Sequence, residues 1–145
     1  MKIKILHPYG QPFRATAGSA GFDVRACIDK CMVVLPGETI LVPLGFSLEL
    51  DAGYGAFLLP RSGLGHKHGI VLGNLVGLID EDYKGQAFAS VWNRNDAHGD
   101  AFTINPGDRI AQMVVMPVWT GEFSEVEELT DTARGANGFG STGQK

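Results

Sequence analysis

The sequence has no excess of basic charge and no long apolar run, and both shortages argue against whole classes of protein. Its net charge of −4 gives no basic patch that could bind nucleic acid non-specifically through counterion release. No apolar stretch has the length of a membrane span or of the core of a secretory leader. We therefore expect a cytoplasmic protein without a nucleic-acid or membrane partner.

Cysteine is also scarce, and this limits the available metal and redox chemistry. Two cysteines are too few for a structural zinc site of the usual four ligands. In one continuous strand Cys27 and Cys31 would lie about 13 Å apart, beyond disulfide reach, although a turn at Asp29-Lys30 would bring them closer. We expect reduced, half-buried thiols.

Glycine and proline, in contrast, are spread along the chain and separate short runs rich in Val and Ile. This pattern leaves few windows for a long helix and is typical of an all-β fold. We predict one domain, residues 1–145, with a jelly-roll-like sandwich or barrel of about ten short strands. One short helix is expected at Ser62–Lys67, capped by Ser62. The predicted strands are Lys2–His7, Phe22–Ala26, Met32–Leu35, Thr39–Pro43, Gly45–Leu50, Gly55–Leu59, Ile70–Leu72, Gly77–Asp80, Gln86–Asn93, Ala101–Ile104 and Arg109–Pro117.

The segment GNLVGLIDEDYKG, residues 73–85, places acids directly after an apolar run. Asp80 follows Ile79 and precedes two more acids. Burying a carboxylate without a partner is costly, so these acids either face water at the end of a hairpin or include one held at a pocket for chemistry. Asn74 and Tyr83 lie on either side and offer an amide and a flat, hydroxyl-bearing ring.

Two other motifs offer groups that bind phosphate. Arg61, Ser62 and Gly63 combine a guanidinium, a hydroxyl and backbone N–H groups at the predicted start of the helix, although a simple capped turn explains them equally well. In GDRIAQ, residues 107–112, pairing with an acid explains Arg109 just as well as a role in binding a ligand. Gln112 lies within an apolar strand, so we expect a ligand or a water to satisfy its amide.

The C-terminal tail, residues 133–145, is rich in glycine. It cannot bury enough surface to order itself, so we expect it to be mobile in the free protein. Arg134, Phe139, Ser141 and Thr142 would suit a lid that closes over a phosphorylated aromatic ligand. A frayed terminus is the alternative.

Taken in order, SAGFDVRA, PRSGLG, GNLVGLIDEDYKG, GDRIAQ and RGANGFGSTG resemble the five motifs of the trimeric dUTP diphosphatases, or dUTPases. The likeness extends from about Phe13 to Lys145, and Pro60–Asp80 is most similar to bacterial members. Asn137 stands where the tail motif usually has a glycine. Asparagine tolerates left-handed backbone better than most residues, so the lid is expected to survive this departure.

The resemblance implies a jelly-roll enzyme that hydrolyses dUTP to dUMP and pyrophosphate. It implies a homotrimer whose three active sites are each built from all three subunits. It also implies Mg²⁺ as the cofactor, held mainly by the three phosphates of the substrate, as suits an ion that keeps several waters.

The resemblance also implies roles for individual residues. Asp80 would orient and deprotonate the attacking water, which is general-base catalysis. Phosphate and water would be held by Arg61, Ser62, Gly63 and Gln112, with Arg134, Ser141 and Thr142 arriving from the tail. Uracil and sugar would be contacted by Asn74, Tyr83 and the backbone of Leu78, Ile79 and Phe88, with Phe139 capping the base. Asp23 would be an outer-shell partner of metal-bound water.

Two other functions fit the same scaffold. A dCTP deaminase shares the fold but would be expected to lack the tail motif. A non-catalytic β-sandwich module would have lost the chemistry, yet Asp80, Gln112, Arg134 and Phe139 are intact.

Overall fold

Eleven strands and one short helix make up the part of the chain that the computed structural model describes, residues 1–132 and 135–136. The strands are β1 Lys2–Ile5, β2 Phe22–Arg25, β3 Met32–Val34, β4 Thr39–Pro43, β5 Phe46–Glu49, β6 Tyr54–Pro60, β7 Ile70–Leu72, β8 Gly77–Ile79, β9 Phe88–Asn93, β10 Phe102–Ile104 and β11 Arg109–Pro117, and α1 is Ser62–His68. Every predicted strand is present, with ends that differ by at most a few residues. The all-β prediction is confirmed.

The strands form small antiparallel sheets in which neighbours are seldom consecutive in sequence. One sheet has the order β2-β11-β6-β8 and another the order β4-β9-β7, while β1 pairs with β5 and β3 with β10. Crossovers of this kind are typical of Greek-key and jelly-roll folds. They also place β7 and β8, and likewise β8 and β9, in different sheets, so that the connections between them pass from one sheet to the other.

The core lies between the sheets and is built by alternation along each strand. In β9, Ala89, Val91 and Asn93 are buried, whereas the residues between them face outward, which is the two-residue period of a strand. Asn93 is fully buried, and its Nδ2 donates to the carbonyls of Val34 and Asp100, each at 3.0 Å. These bonds offset the cost of burying its amide.

Helix α1 begins at Ser62, the residue that was predicted to cap it, so the observed N-cap lies one residue earlier. Arg61 occupies the N-cap position with extended backbone, φ −86° and ψ 129°, and its side chain makes no capping hydrogen bond. The prediction that Ser62 is the cap is therefore wrong, because β6 leads directly into Arg61 and Ser62 is already helical. Gly69 ends the helix with φ 70°. Within the described residues no helix is long and apolar enough to cross a membrane.

Both cysteines are free, as predicted, but they are not both half-buried. Cys31 is exposed and Cys27 is buried. Burial raises the pKa of the Cys27 thiol, because it disfavours the charged thiolate. Cys27 is therefore a packing residue rather than a nucleophile.

Gly10 is the glycine whose replacement we expect to cost most stability. A methyl group there would overlap the carbonyl oxygen of Gly45, which is fixed by accepting the N–H of Leu6 at 2.8 Å. Since backbone cannot yield as a flexible side chain can, Gly10→Ala is expected to lower the free energy of unfolding by about 3 kcal/mol. Gly18→Ala, where nothing lies within 4 Å, is the matched control and should change it by less than about 0.5 kcal/mol. Urea unfolding measures the free energy of unfolding of both variants, and equal values for Gly10→Ala and Gly18→Ala would contradict the prediction.

Candidate active site

A cavity of about 330 Å³ lies where β2, β6 and β11 meet the start of α1. We call it the Arg61 pocket. It brings the predicted phosphate-binding residues of one chain together with Asp23, the predicted outer-shell acid. Four other lining residues were not predicted from the sequence: Ala15, Ser19, Ala20 and Gly21. Its lining consists of Ala15, Ser19, Ala20, Gly21, Asp23, Arg61, Ser62, Gly63 and Gln112.

A β-bulge in β11 explains how two residues of the GDRIAQ motif reach the same face. Arg109 pairs with Arg25 of β2, but Ala111 pairs with Val24, so Ile110 is the extra residue. Ile110 and Ala111 are both buried, with 3% and 0% exposure. Arg109 and Gln112 therefore share the opposite face, although residues three apart on a regular strand lie on opposite faces. The adjacent apolar pair Ile110-Ala111 was the available sequence signal.

Asp23 is the centre of an ion-pair network at the wall of this pocket. Its Oδ1 lies 3.1 Å from Arg61 Nε, and its Oδ2 accepts from Arg109 Nη1 at 3.1 Å. Arg61 Nη1 also donates to the carbonyl of Arg109 at 2.9 Å. The prediction that Arg109 pairs with an acid is confirmed, and the cluster carries one net positive charge beside the cavity.

Gln112 differs from its prediction in one respect. Its Nε2 donates to the carbonyl of Pro60 at 3.0 Å, so the protein itself satisfies one of the two amide N–H groups without a ligand or a water. This bond arises because Gln112 pairs across the strands with Leu59, next to Pro60. It holds the amide nitrogen at the edge of the cavity.

Asp80 lies in a second cavity of about 230 Å³, which we call the Asp80 pocket. Because β8 and β9 belong to different sheets, the acids at 80–82 do not end a hairpin, and the segment that holds them passes from one sheet to the other. The pocket contains all of the residues predicted for uracil, sugar and general base in the described part of the chain. Its lining consists of Leu58, Asn74, Gly77, Leu78, Ile79, Asp80, Tyr83, Gln86, Ala87 and Phe88.

Local backbone geometry fixes the walls of the Asp80 pocket. The Tyr83 hydroxyl donates to the carbonyl of Gln86 at 2.9 Å, which holds the ring in place. Asn74 lies in the turn before β8, where the next residue, Leu75, has φ 61°. A left-handed conformation costs a non-glycine residue about 1 kcal/mol, and such strain is often stored at functional sites. Four further lining residues were not predicted, because the tertiary fold brings them to this wall: Leu58, Gly77, Gln86 and Ala87.

Among the described residues, none lines both pockets. One chain therefore does not place Asp80 in the cavity that contains Arg61 and Gln112. Arg134, Phe139, Ser141 and Thr142 lie outside the described residues.

The acidic and basic groups of the Arg61 pocket determine how a metal ion could be held there. Among the described residues there is no group of three or more His, Cys, Asp or Glu side chains that could hold an ion. Asp23, the carboxylate of that pocket, already pairs with two guanidinium groups. This donor set fits a hydrated Mg²⁺ whose inner ligands are water and ligand phosphates, and it does not fit an ion held by protein alone.

Fold and pockets together define an all-β protein with one cationic cavity suited to an anion and another with an amide, an acid and a flat ring. The matching family model is that of the dUTPases, over residues 9–143. The chain belongs to the dUTPase family.

Relatives and solved structures agree with this assignment. The chain is 55% identical to the deoxyuridine 5'-triphosphate nucleotidohydrolase of Janthinobacterium sp. (strain Marseille), covering 99% of this chain and 97% of that protein. It is 56% identical to the enzyme of the same name from Citrobacter koseri, covering 99% and 96%. A mutant dUTPase of Staphylococcus bacteriophage 80alpha, solved with dUpNHpp, superposes with a TM-score of 0.86 at 26% identity, covering 98% and 97%. A mutant dUTPase of phage phi11 of S. aureus, described with a structural Mg(II) ion, gives 0.78 at 26% identity, covering 88% and 96%.

Proposed function

We propose that this chain hydrolyses dUTP to dUMP and pyrophosphate by attack of water on the α-phosphorus. One observation carries the proposal: a chain of the dUTPase family keeps Arg61, Ser62, Gly63 and Gln112 together in one cationic cavity. Guanidinium, hydroxyl and backbone N–H groups are the donors that bind phosphate oxygens.

The phosphate end of the substrate binds in the Arg61 pocket. Arg61 supplies charge, held in place by Asp23, while Ser62 and Gly63 supply the hydroxyl and backbone N–H groups at the start of α1. One of the two N–H groups of Gln112 is bonded to Pro60, so the other can donate to a phosphate oxygen while Oε1 accepts from a water.

The nucleoside end binds in the Asp80 pocket. Within the described residues β8 pairs only with β6, so its other edge offers backbone N–H and C=O groups. The backbone of Leu78 and Ile79, with that of Phe88 and the amide of Asn74, can therefore bond the polar edge of uracil. Tyr83, with its ring fixed through Gln86, packs against deoxyribose and leaves no room for a 2′-hydroxyl.

Asp80 acts as the general base. Its exposed carboxylate takes a proton from the water as the water oxygen bonds to the α-phosphorus. The bond from that phosphorus to the bridging oxygen breaks, and pyrophosphate leaves. General-base help of this kind contributes about 10²–10⁴ in rate.

The two pockets become one site when copies of the chain associate. A ring of three copies with head-to-tail contacts would bring the Asp80 pocket of one subunit against the Arg61 pocket of another. This homotrimer with shared sites is supported by the family resemblance and by the two separate sets of described residues that line the two pockets of one chain.

Mg²⁺ is the cofactor in this proposal, and Asp23 is its outer-shell neighbour in the Arg61 pocket. When bound with the triphosphate, the ion neutralises charge on the phosphate oxygens. The tail, residues 133–145, is proposed to close the site, with Arg134, Ser141 and Thr142 on the phosphates and Phe139 on the base.

A substrate panel tests the proposal. Purified protein with Mg²⁺ is incubated separately with dUTP, UTP and each common deoxynucleoside triphosphate, and both pyrophosphate and ammonia are measured. Pyrophosphate from dUTP, with little from UTP, is the expected result. Ammonia from dCTP would replace the proposal with a deaminase, and no release of either product would leave a binding module. Equal turnover of UTP and dUTP would remove the role of Tyr83 against the sugar.

A further inference from the structure

We infer that Arg109 is a positioning residue: its side chain holds Asp23, and through Asp23 it fixes the guanidinium of Arg61 for phosphate before any metal ion binds. The inference rests on the proposed function in one respect, which is that Arg61 is the group that contacts phosphate. It concerns a residue that does not line the cavity and has no assigned part in the chemistry.

Arg61 is held at two different atoms of its guanidinium group. Nε contacts Asp23 Oδ1 at 3.1 Å, and Nη1 donates to the carbonyl of Arg109 at 2.9 Å. Two contacts on a planar group fix both its position and its plane. Because a guanidinium has five N–H donors, these contacts leave donors for a phosphate in the cavity.

Asp23 is in turn held by Arg109. The second carboxylate oxygen, Oδ2, accepts from Arg109 Nη1 at 3.1 Å, and the side chain of Asp23 is only 14% exposed. With both oxygens engaged, the carboxylate cannot rotate without breaking an ion pair. Without the Arg109 side chain, one oxygen of a largely buried acid would lose its partner, and Asp23 would be free to leave the geometry that orients Arg61.

The bulge at Ile110 makes this arrangement possible. It turns Arg109 onto the face of Asp23 and Gln112, whereas a regular strand would have directed its side chain into the core with Ala111. Bulges beside active sites commonly re-aim a side chain in this way. Every contact of the network joins two protein groups, so the alignment of Arg61 is expected to be present without Mg²⁺.

Binding of inorganic tripolyphosphate, measured by calorimetry in EDTA, tests the inference without using turnover. The proteins are the wild type, Arg109→Met, Arg61→Met and the double variant. Arg109→Met removes the charged donor and keeps the backbone carbonyl that Arg61 bonds. It is expected to weaken binding about tenfold in the wild-type background and less than about twofold in the Arg61→Met background, because residues that act through one another are not additive.

Arg25→Met is the matched control for lost charge. Arg25 lies opposite Arg109 on β2 and packs over the ring of Phe13, 4.6 Å from its centroid, and it does not line the Arg61 pocket. Its replacement is expected to weaken binding less than about twofold. Arg109→Lys, which keeps one charged donor for Asp23, should recover most of the affinity even if the methionine variant folds poorly.

Each outcome decides the matter. Equal losses of tripolyphosphate affinity in Arg109→Met and Arg25→Met would overturn the inference. A tenfold loss of affinity from Arg109→Met in the Arg61→Met background would also overturn it. So would a wild-type protein that does not bind tripolyphosphate in EDTA. The proposed function is judged separately by pyrophosphate release from dUTP. A wild type that binds tripolyphosphate with the expected coupling but leaves dUTP intact would keep the inference and reject the function.

Discussion

Asp80→Asn is expected to lower kcat by about 10²–10⁴ with little change in KM. Asparagine keeps the size of the side chain and its hydrogen-bonding reach, so the walls of the Asp80 pocket should be unchanged. What is lost is the ability to accept a proton from water, which matters in the transition state rather than in binding. Steady-state kinetics with dUTP and Mg²⁺ measures both constants.

Asp82→Asn is the matched control for this experiment. Asp82 carries the same charge two residues further along the same segment and is exposed, but it does not line the Asp80 pocket. We expect its kcat to stay within about twofold of the wild type, because a surface charge of this kind contributes little. A near-normal kcat in Asp80→Asn, or equal losses in both variants, would remove Asp80 from the general-base role.

Strand positions could be predicted from the sequence because the local sequence pattern of each strand agrees with its tertiary packing. In β9 and β11 a short run rich in apolar residues, bounded by Gly, Pro and Asn, favours the same strands that the sheets require. Predicting the helix was equally direct, since the glycines around Ser62–His68 permit only a short one.

Other features depend on contacts between segments distant in sequence. Whether Ser62 or Arg61 occupies the N-cap of α1 depends on where β6 ends, and the partner of the Arg61 side chain is Asp23, a residue far away in the chain. The partner of Gln112 is a backbone carbonyl of β6, which no local pattern reveals. Spacing alone could not separate the Arg61 pocket from the Asp80 pocket, because that separation follows from strand order.

Mixing two inactive variants is expected to restore activity if the sites are shared between subunits. Asp80→Asn keeps an intact Arg61 pocket, and Arg61→Met keeps an intact Asp80 pocket. Each alone should lose at least about a hundredfold in kcat, the usual scale for a base or an electrostatic donor. Unfolding the two together and refolding them at equal concentration forms mixed oligomers.

The recovered activity follows from which chain contributes each half of a site. In a random mixture half of the Arg61 pockets and half of the Asp80 pockets are intact, so about one quarter of the shared sites should combine two intact halves. Asp80→Asn mixed with the double variant supplies no intact Asp80 pocket and should stay inactive, which controls for refolding. If both halves of a site came from one chain, every site would contain a defect. The activity of either mixture would then stay at the level of the separate variants. Pyrophosphate release that stays at the level of the separate variants would therefore reject the shared site, and recovery near one quarter would require that residues 61 and 80 act from different copies.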